Sequence, residues 1–271
     1  MKLLFLGDVV GRSGRDAVLA WMKEIRTRVA PDFVVVNGEN AAHGFGLTPK
    51  ICDEFYAAGV DVVTLGNHAW DHREILNYID GEPRLLRALN FPPGTPGRGV
   101  GVYTLARGRR VAVIQVMGRL FMDALDCPFA AVERELARLR LGAGGLDAIV
   151  IDVHAEATSE KMALGHVCDG RVTLVVGSHS HIPTADAQIL PRGTAYLTDA
   201  GMCGDYDSVI GMKKGPATQK FTRKVPGERL SPADGTGTVC GILVETDEKT
   251  GLATRVAPLR LGPRLQNCWP V

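Results

Sequence analysis

Short apolar runs, most of them closed by glycine and then by a charged, amide or imidazole side chain, recur through the first two-thirds of the chain. Lys2–Gly7 is the first such run and reads as a buried strand. Ser13, with Asp16 three residues on, gives a capping-box-like start to a helix running toward Val29. Phe33–Val36 is the next strand, breaking at Asn37 and Gly38. Thr48 followed by Pro49 supplies an N-cap and a proline at the first helical position, so a helix is expected through Ala57. Asp61–Leu65 is a third strand ending at Gly66, and Asp71 with Glu74 opens a third helix. The rhythm continues with a strand at Arg110–Val116, a helix at Phe129–Arg140, a strand at Ala148–Val153, a short helix at Thr158–His166 and a strand at Val172–Gly177. Beyond Thr184 strands predominate, at Ala195–Thr198, Val239–Glu245 and Ala253–Leu259. A polar stretch with glycine and proline, Gly211–Gly235, lies between them and reads as a long surface loop.

Continuous apolar strands alternating with helices predict a mostly parallel sheet covered on both faces. The β-rich second half suggests a second sheet packed on the first. No linker interrupts the pattern, so the expectation is one α/β domain over residues 1–271.

Composition narrows the class. The 271 residues are 45% hydrophobic and 23% charged, which excludes a disordered or fibrous chain. The net charge of +1 argues against an electrostatic grip on long nucleic acid or on an anionic membrane. No apolar run approaches the ~18–20 residues of a transmembrane helix. The opening segment reaches Asp8 too soon for a signal peptide, and no small-residue cleavage site follows. Six scattered cysteines without a C-x-x-C pair read as reduced thiols of a cytoplasmic protein.

The candidate chemistry sits where the strands end, which is where ligands gather in open α/β sheets. Those ends carry Asp8, then Glu39 and Asn40, then Asn67 and His68, then His154, and finally His179, Ser180 and His181. Asp8 and Glu39 are separated by 31 residues and Glu39 and Asn67 by 28, close to the ~30 of one βα repeat, so one structural position recurrently delivers a metal-ligand type. His179 and His181, two apart in what reads as an extended segment, are expected to leave one face. Carboxylate, amide oxygen and imidazole donors without thiolate suit Fe, Mn or Zn. A carboxylate such as Glu39 can bridge two ions ~3.5–4 Å apart, the spacing that clamps both oxygens of a phosphoryl displacement.

Gly7-Asp8, Gly66-Asn67-His68, His154 and Gly177-Ser178-His179-Ser180-His181 resemble the ordered signature of the calcineurin-like metallophosphoesterases. Two departures narrow the match. The usual D-x-H reads Asp8-Val9-Val10, and the usual second Asp is Glu39-Asn40. These habits, with the segments Gly38–Gly46, Ala155–Gly165 and His179–Met212, resemble the bacterial YmdB-like branch of cyclic-nucleotide phosphodiesterases over essentially the whole chain. The resemblance implies a metallophosphoesterase-type α/β sandwich, with two mixed sheets face to face and helices outside. It implies that Asp8, Glu39, Asn40 and His181 hold one metal ion, while a bridging Glu39 with Asn67, His154 and His179 holds the other. Asn40 would then supply the oxygen that replaces the histidine missing at Val10, a change toward Fe or Mn, with Zn the remaining candidate.

The implied reaction is attack of a metal-activated hydroxide on a small cyclic nucleotide, 2′,3′-cyclic and by extension 3′,5′-cyclic. His68, beside Asn67 but without a ligand slot, is the candidate general acid, and Asp71 the nearest carboxylate to orient it. The same metals would also serve a broader phosphomonoesterase or a nuclease, although a nuclease calls for a basic stripe. A non-catalytic regulatory protein is the third reading, opposed by the fact that every ligand slot is filled. The resemblance further suggests a homo-oligomer. Weaker candidates are Arg12 at a helix start as a phosphate contact, His43 as a substrate or supporting contact, and the basic run Lys213, Lys214, Lys220, Arg223 and Lys224. His72 and His166 read as helix-surface residues, and the glycines around Gly97–Gly101 do not make a dinucleotide loop.

Overall fold

The structure, a computed structural model, describes residues 1–223, 225 and 227–270. Its elements begin with β1 (Lys2–Leu6), β2 (Asp8–Val9), α1 (Gly11–Arg28), β3 (Phe33–Asn37), α2 (Pro49–Ala57), β4 (Val62–Thr64), α3 (Glu74–Tyr78) and β5 (Leu85–Leu86). The middle contributes β6 (Val100–Thr104), β7 (Arg110–Met117), α4 (Pro128–Leu136), β8 (Ala148–His154), α5 (Thr158–Cys168) and β9 (Leu174–Ser178). The remainder is β10 (Gln188–Ile189), β11 (Ala195–Leu197), β12 (Met202–Cys203), α6 (Lys214–Thr222), β13 (Val239–Thr246) and β14 (Ala253–Leu261).

Two six-stranded sheets result, in the orders β14-β13-β1-β3-β4-β5 and β10-β11-β9-β8-β7-β6, and β12 pairs separately with β2. In the first sheet β1, β3, β4 and β5 run parallel, while β13 pairs antiparallel with both β1 and β14. In the second, β7, β8, β9 and β11 are parallel between antiparallel edges β6 and β10. Both sheets are therefore mixed.

Side chains alternate across a strand, so each sheet offers two faces to bury. Leu3 and Phe5 of β1, Phe33 and Val35 of β3 and Val62 of β4 pack against Val111, Val113, Ala148, Val150, Leu174 and Val176 of the second sheet. The alternate residues Leu4, Leu6, Val34, Val36 and Val63 face outward onto Val18, Met22 and Ile25 of α1, Phe55 of α2 and Ile75 of α3. On the other side Ile114, Ile149, Ile151 and Val175 meet Val132 and Leu136 of α4 and Leu164 and Cys168 of α5. The layers run helix, sheet, sheet, helix. Strands buried on both faces explain why their sequences read as continuous apolar runs.

The inner-face series changes character toward the carboxyl ends. Along β8 the same face carries Ala148, Val150, Asp152 and His154; along β3 and beyond it carries Phe33, Val35, Asn37 and Glu39. The apolar core between the sheets thus passes at one end into a buried polar layer.

Several local expectations are corrected. Helix α1 starts at Gly11, whose φ of +58° suits glycine. Val10 is its N-cap with no side-chain bond, and Ser13 donates to the Gly235 carbonyl at 2.7 Å instead of capping. Asp71 does not open α3, whose N-cap is Arg73. The Gly211–Gly235 stretch is not simply a loop: it carries α6, seated through Ala217 on Val10, Met202 and Met212. Thr48 does cap α2, accepting from the Ile51 N–H with Pro49 next in line. No helix among the described residues is long and apolar enough to cross a membrane.

Phe33 is 1% exposed between the sheets, its ring centroid 5.7 Å from that of Tyr103. Phe33→Ala is expected to lower stability by ~3–5 kcal/mol through lost transfer energy and an unfilled cavity, measured by denaturant unfolding.

Candidate metal centre

The strands that feed the site come from both sheets. Neighbours β1, β3 and β4 bring Asp8, Glu39 with Asn40, and Asn67 with His68; neighbours β8 and β9 bring His154, His179 and His181. Each lies at or just past a carboxyl end. The polar ends of two packed sheets therefore face one another.

His154 Nε2 is the hub. It lies 3.0 Å from Glu39 Oε1, 2.9 Å from Asn67 Oδ1 and 3.1 Å from His179 Nδ1. A second, overlapping group surrounds Asn40, whose Nδ2 is 3.0 Å from Glu39 Oε1 and 3.2 Å from His181 Nε2. Asp8 closes the group, with Oδ1 3.9 Å from both His181 Nε2 and His154 Nδ1. Asp8, Glu39, Asn40, His154 and His181 are buried, while Asn67, His68 and His179 are half-buried.

The outer nitrogens of the imidazoles fix what the inner ones present. His181 Nδ1 donates to the Ile210 carbonyl at 2.7 Å, so Nε2 keeps its lone pair. His179 Nε2 faces Glu156 Oε2 at 3.2 Å, which leaves the Nδ1 lone pair turned inward. Ser178 Oγ donates to Asp152 Oδ1 at 2.7 Å and so accepts from His154 Nδ1 at 2.9 Å. The Nε2 lone pair of His154 then faces a carboxylate oxygen, an amide oxygen and a second imidazole lone pair. Acceptors about 3 Å apart with no donor between them are the donor set of a cation with ~2.0–2.2 Å bonds. The Asn40 amide joins that set through Oδ1 once its two ends are exchanged by a half-turn. The residues fit the metal ions that the strand-end pattern implies.

Without a cation, protons are the alternative. Burial by itself would lower His154, but the charges and hydrogen bonds of Glu39 and Asp8 outweigh it and raise the imidazole to about 9. Burial would likewise raise Glu39, yet His154 and the His68 side hold it at about 2. His179 is pushed down to about 3 by burial and by the neighbouring His154. Asp8 rises to about 6 because burial exceeds the attraction of His181 and His154, with Asp199 and Glu39 adding to the rise.

Beneath the hub lies a polar floor that the strand-end pattern did not single out. Thr64 Oγ1 donates to Asp152 Oδ2 at 2.6 Å, Asn37 Nδ2 donates to the same oxygen at 3.2 Å, and Ser178 holds the other. Burial raises the Asp152 carboxyl, opposed by His154 and these hydrogen bonds. The signal was present as period-2 alternation, since Asn37 and Asp152 lie two residues before Glu39 and His154. Gly66 is required here, because a Cβ would collide with Glu39 Oε2 and His154 Nε2.

His179 and His181 do not share a face of an extended segment. Strand β9 ends at Ser178, and the two histidines take φ values of +93° and +66°. Left-handed backbone at two non-glycine residues costs free energy and persists only where surroundings enforce it. Here Asp199 enforces it: Oδ2 accepts from Ser180 N at 3.1 Å and Ser180 Oγ at 2.7 Å, while Oδ1 accepts from Gly201 N at 2.8 Å and so fixes the carboxylate itself. The fully buried Lys161 ammonium pairs with the same Asp199 oxygen at 2.8 Å. The turn sends His179 toward His154 and His181 toward Asn40 and Asp8. Neither Lys161 nor Asp199 stood out in the sequence, because a lone Lys on a helix normally faces water.

At the rim, Glu39 Oε2 accepts from the His68 backbone N–H at 3.1 Å, and His68 Nδ1 lies 2.8 Å from Asp71 Oδ2. The weaker candidates are divided. Arg12 lines a separate hollow with Asp16 and Trp21, away from the ligand cluster. His43, at φ +57°, is exposed and lines a hollow with Phe45 and Asp71, its ring 6.5 Å from that of His72. Of the basic run, Lys213 and Lys214 pair with Asp234 and Asp207, Lys220 lines a hollow with His68 and Phe45, Arg223 lines another hollow along α6, and Lys224 lies outside the described residues.

A family model for YmdB-like proteins matches residues 4–259. The chain is 46% identical over 256 residues to a Bacillus subtilis (strain 168) protein named 2′,3′-cyclic-nucleotide 2′-phosphodiesterase, covering 94% of this chain and 95% of that one. A Mycoplasma pneumoniae structure described as a novel phosphatase superposes with a TM-score of 0.90 at 30% identity, over 97% of this chain and 93% of its own. A hypothetical protein from Thermus thermophilus superposes with a TM-score of 0.90 at 42% identity, over 97% and 99% of the two chains.

Replacing both Lys161 and Asp199 by neutral residues, Lys161→Met with Asp199→Asn, removes the buried pair without stranding either charge. The double variant is expected to bind Mn²⁺ ~10–100-fold more weakly by calorimetry while keeping its far-ultraviolet circular dichroism. Undiminished affinity would assign the pair to folding alone.

Proposed function

This chain belongs to the YmdB-like protein family, and we propose that it hydrolyses 2′,3′-cyclic nucleotides at a site holding two metal ions. The observation that carries this reading is the overlap of two donor groups on one carboxylate, Glu39, with His68 at their edge. The chain covers nearly all of the B. subtilis phosphodiesterase, so the comparison extends to the whole protein and not to a fragment of it.

Asp8, Glu39, Asn40 and His181 would hold one ion, and Glu39, Asn67, His154 and His179 the other. Bound there, the ions would activate water and offset charge on the phosphoryl oxygens. The protein supplies the rest. Glu39, 1% exposed and tied to the His68 backbone, keeps the two halves of the site in register. The Asp152 floor and the Asp199 turn keep the imidazoles aimed inward. As the bond from phosphorus to the ribose O2′ breaks and a new one forms to the water oxygen, O2′ needs a proton. His68 supplies it from Nε2, because Nδ1 is engaged by Asp71 at 2.8 Å.

The oxygen- and nitrogen-rich donor set favours Fe or Mn, with Zn next. The six cysteines carry no disulfide, which suits the cytoplasm. We take the whole chain as one metallophosphoesterase domain acting on small cyclic nucleotides, with 3′,5′-cyclic substrates secondary, and working as a homo-oligomer. The paired lysines of the α6 region speak against a track for long nucleic acid.

Metal-stripped protein is expected to be inactive on 2′,3′-cyclic AMP and to regain turnover with Mn²⁺ or Fe²⁺. His68→Ala should lower kcat by ~10²–10⁴ with bound metal unchanged, and Asp71→Asn by less. No turnover with any metal on any phosphodiester would move the assignment to a regulatory protein.

A further inference from the structure

His68 is also the inner edge of a hollow of about 470 Å³. Its walls include Phe45 from the segment after β3, Gln219 from α6, and Arg229 and Leu230 from the segment that follows α6. A second hollow of about 610 Å³ shares Phe45, Arg229 and Leu230, so the two form a continuous cleft leading away from the acid. Both volumes fall in the ~300–1,000 Å³ range of small-molecule sites.

The chemistry of the walls is divided. Phe45 and Leu230 are half-buried, seated on Val10, Met202, Met212 and Ala217, which makes them a firm apolar surface. The Phe45 ring stands edge-on to His68, with centroids 5.0 Å apart and planes at 64°. Gln219 offers an amide that can donate and accept, and Arg229 pairs with no carboxylate among the described residues. An apolar floor rimmed by Gln219 and by the charges of Lys220, Glu228 and Arg229 suits a flat heterocycle carried on a polar sugar.

Direction decides the occupant. In the phosphodiesterase reading, on which this inference rests, His68 protonates the ribose oxygen that leaves phosphorus. The ribose and its base must therefore extend from the metal ions past His68, and the cleft begins there. We propose that this cleft is the nucleoside subsite, in which Phe45 carries the face of the base, Leu230 closes the apolar wall, and Gln219 meets the polar edge of the base. Stacking on an aromatic ring tolerates any base, while an amide that donates and accepts discriminates weakly among them.

The test compares 2′,3′-cyclic AMP with a base-free substrate, methyl riboside 2′,3′-cyclic phosphate, on the metal-loaded protein. Phe45→Leu keeps the apolar seat and removes the π-face. Its preference for the nucleotide over the base-free ester, as a ratio of kcat/KM values, is expected to fall about tenfold, mainly through KM. Leu230→Glu should lower the same ratio by burdening the wall with charge. Equal losses on both substrates would show that Phe45 only steadies His68, and unchanged ratios would show an unused cleft; either overturns the subsite. If the wild type hydrolyses neither substrate, the phosphodiesterase reading fails, and calorimetric binding of adenosine 3′-monophosphate decides the subsite by itself. Binding weakened by Phe45→Leu supports it, and binding that is absent or unaltered overturns it.

Discussion

Two carboxylates, Asp8 and Glu39, are almost completely withdrawn from water, and an isolated buried charge is among the most costly things a fold can contain. Each must be compensated by opposite charge and by hydrogen-bond donors. Inside the cluster those donors are scarce: His154, His179 and His181 spend their outer N–H groups on Ser178, Glu156 and Ile210 and turn bare nitrogens inward. The shortfall is what makes the place a candidate cation site. His154 and His179 are displaced in opposite directions, the one raised by the carboxylates of Glu39 and Asp8 against its burial, the other lowered by burial and by the neighbouring His154.

The architecture follows from that need. A carboxylate on one sheet and an imidazole on the other can approach to 3.0 Å only if both sheets present polar ends at the same edge. Parallel strands β1, β3 and β4 on one side and β8 and β9 on the other all point their carboxyl ends that way. Alternation keeps Leu3, Phe33, Val113 and Val150 in the apolar interior, while the same faces continue into Asn37, Asp152 and Ser178. The apolar layer supplies rigidity and the polar layer supplies aim. A shift of one residue in register would turn Asp152 and His154 outward toward α4 and α5.

Strain is concentrated where aim matters most. The turn through His179, Ser180 and His181 holds two side chains in left-handed backbone, and Asp199 restrains it through two hydrogen bonds to Ser180 while neutralising the buried Lys161. Burying an ammonium group to secure a carboxylate that secures a turn makes energetic sense only if the turn must be precise. On the far side His68 is anchored twice, by its backbone to Glu39 and by its ring to Asp71. The proposed metal ligands and the proposed acid are thus tied through one carboxylate.

The sequence by itself determined the strands and helices that bury apolar faces and the residue types at their ends. Phe33–Val36, Ala148–Val153 and the Thr48-Pro49 cap were legible because alternation, run length and capping are local properties. Asp8, Glu39, Asn67 and His154 were legible because a βα repeat returns each strand end to one edge. The tertiary structure alone decided the turn at His179, since its positive φ values depend on Asp199, which lies well beyond the turn in sequence and is held by Lys161 of a helix outside the sheet. It alone decided that Ser13 bonds Gly235, because the competing carbonyl arrives from 222 residues away. It alone joined Phe45, His68 and the segment after α6 into one cleft. Local patterns record what a residue must bury, whereas partners brought together by long-range packing leave no period in the chain.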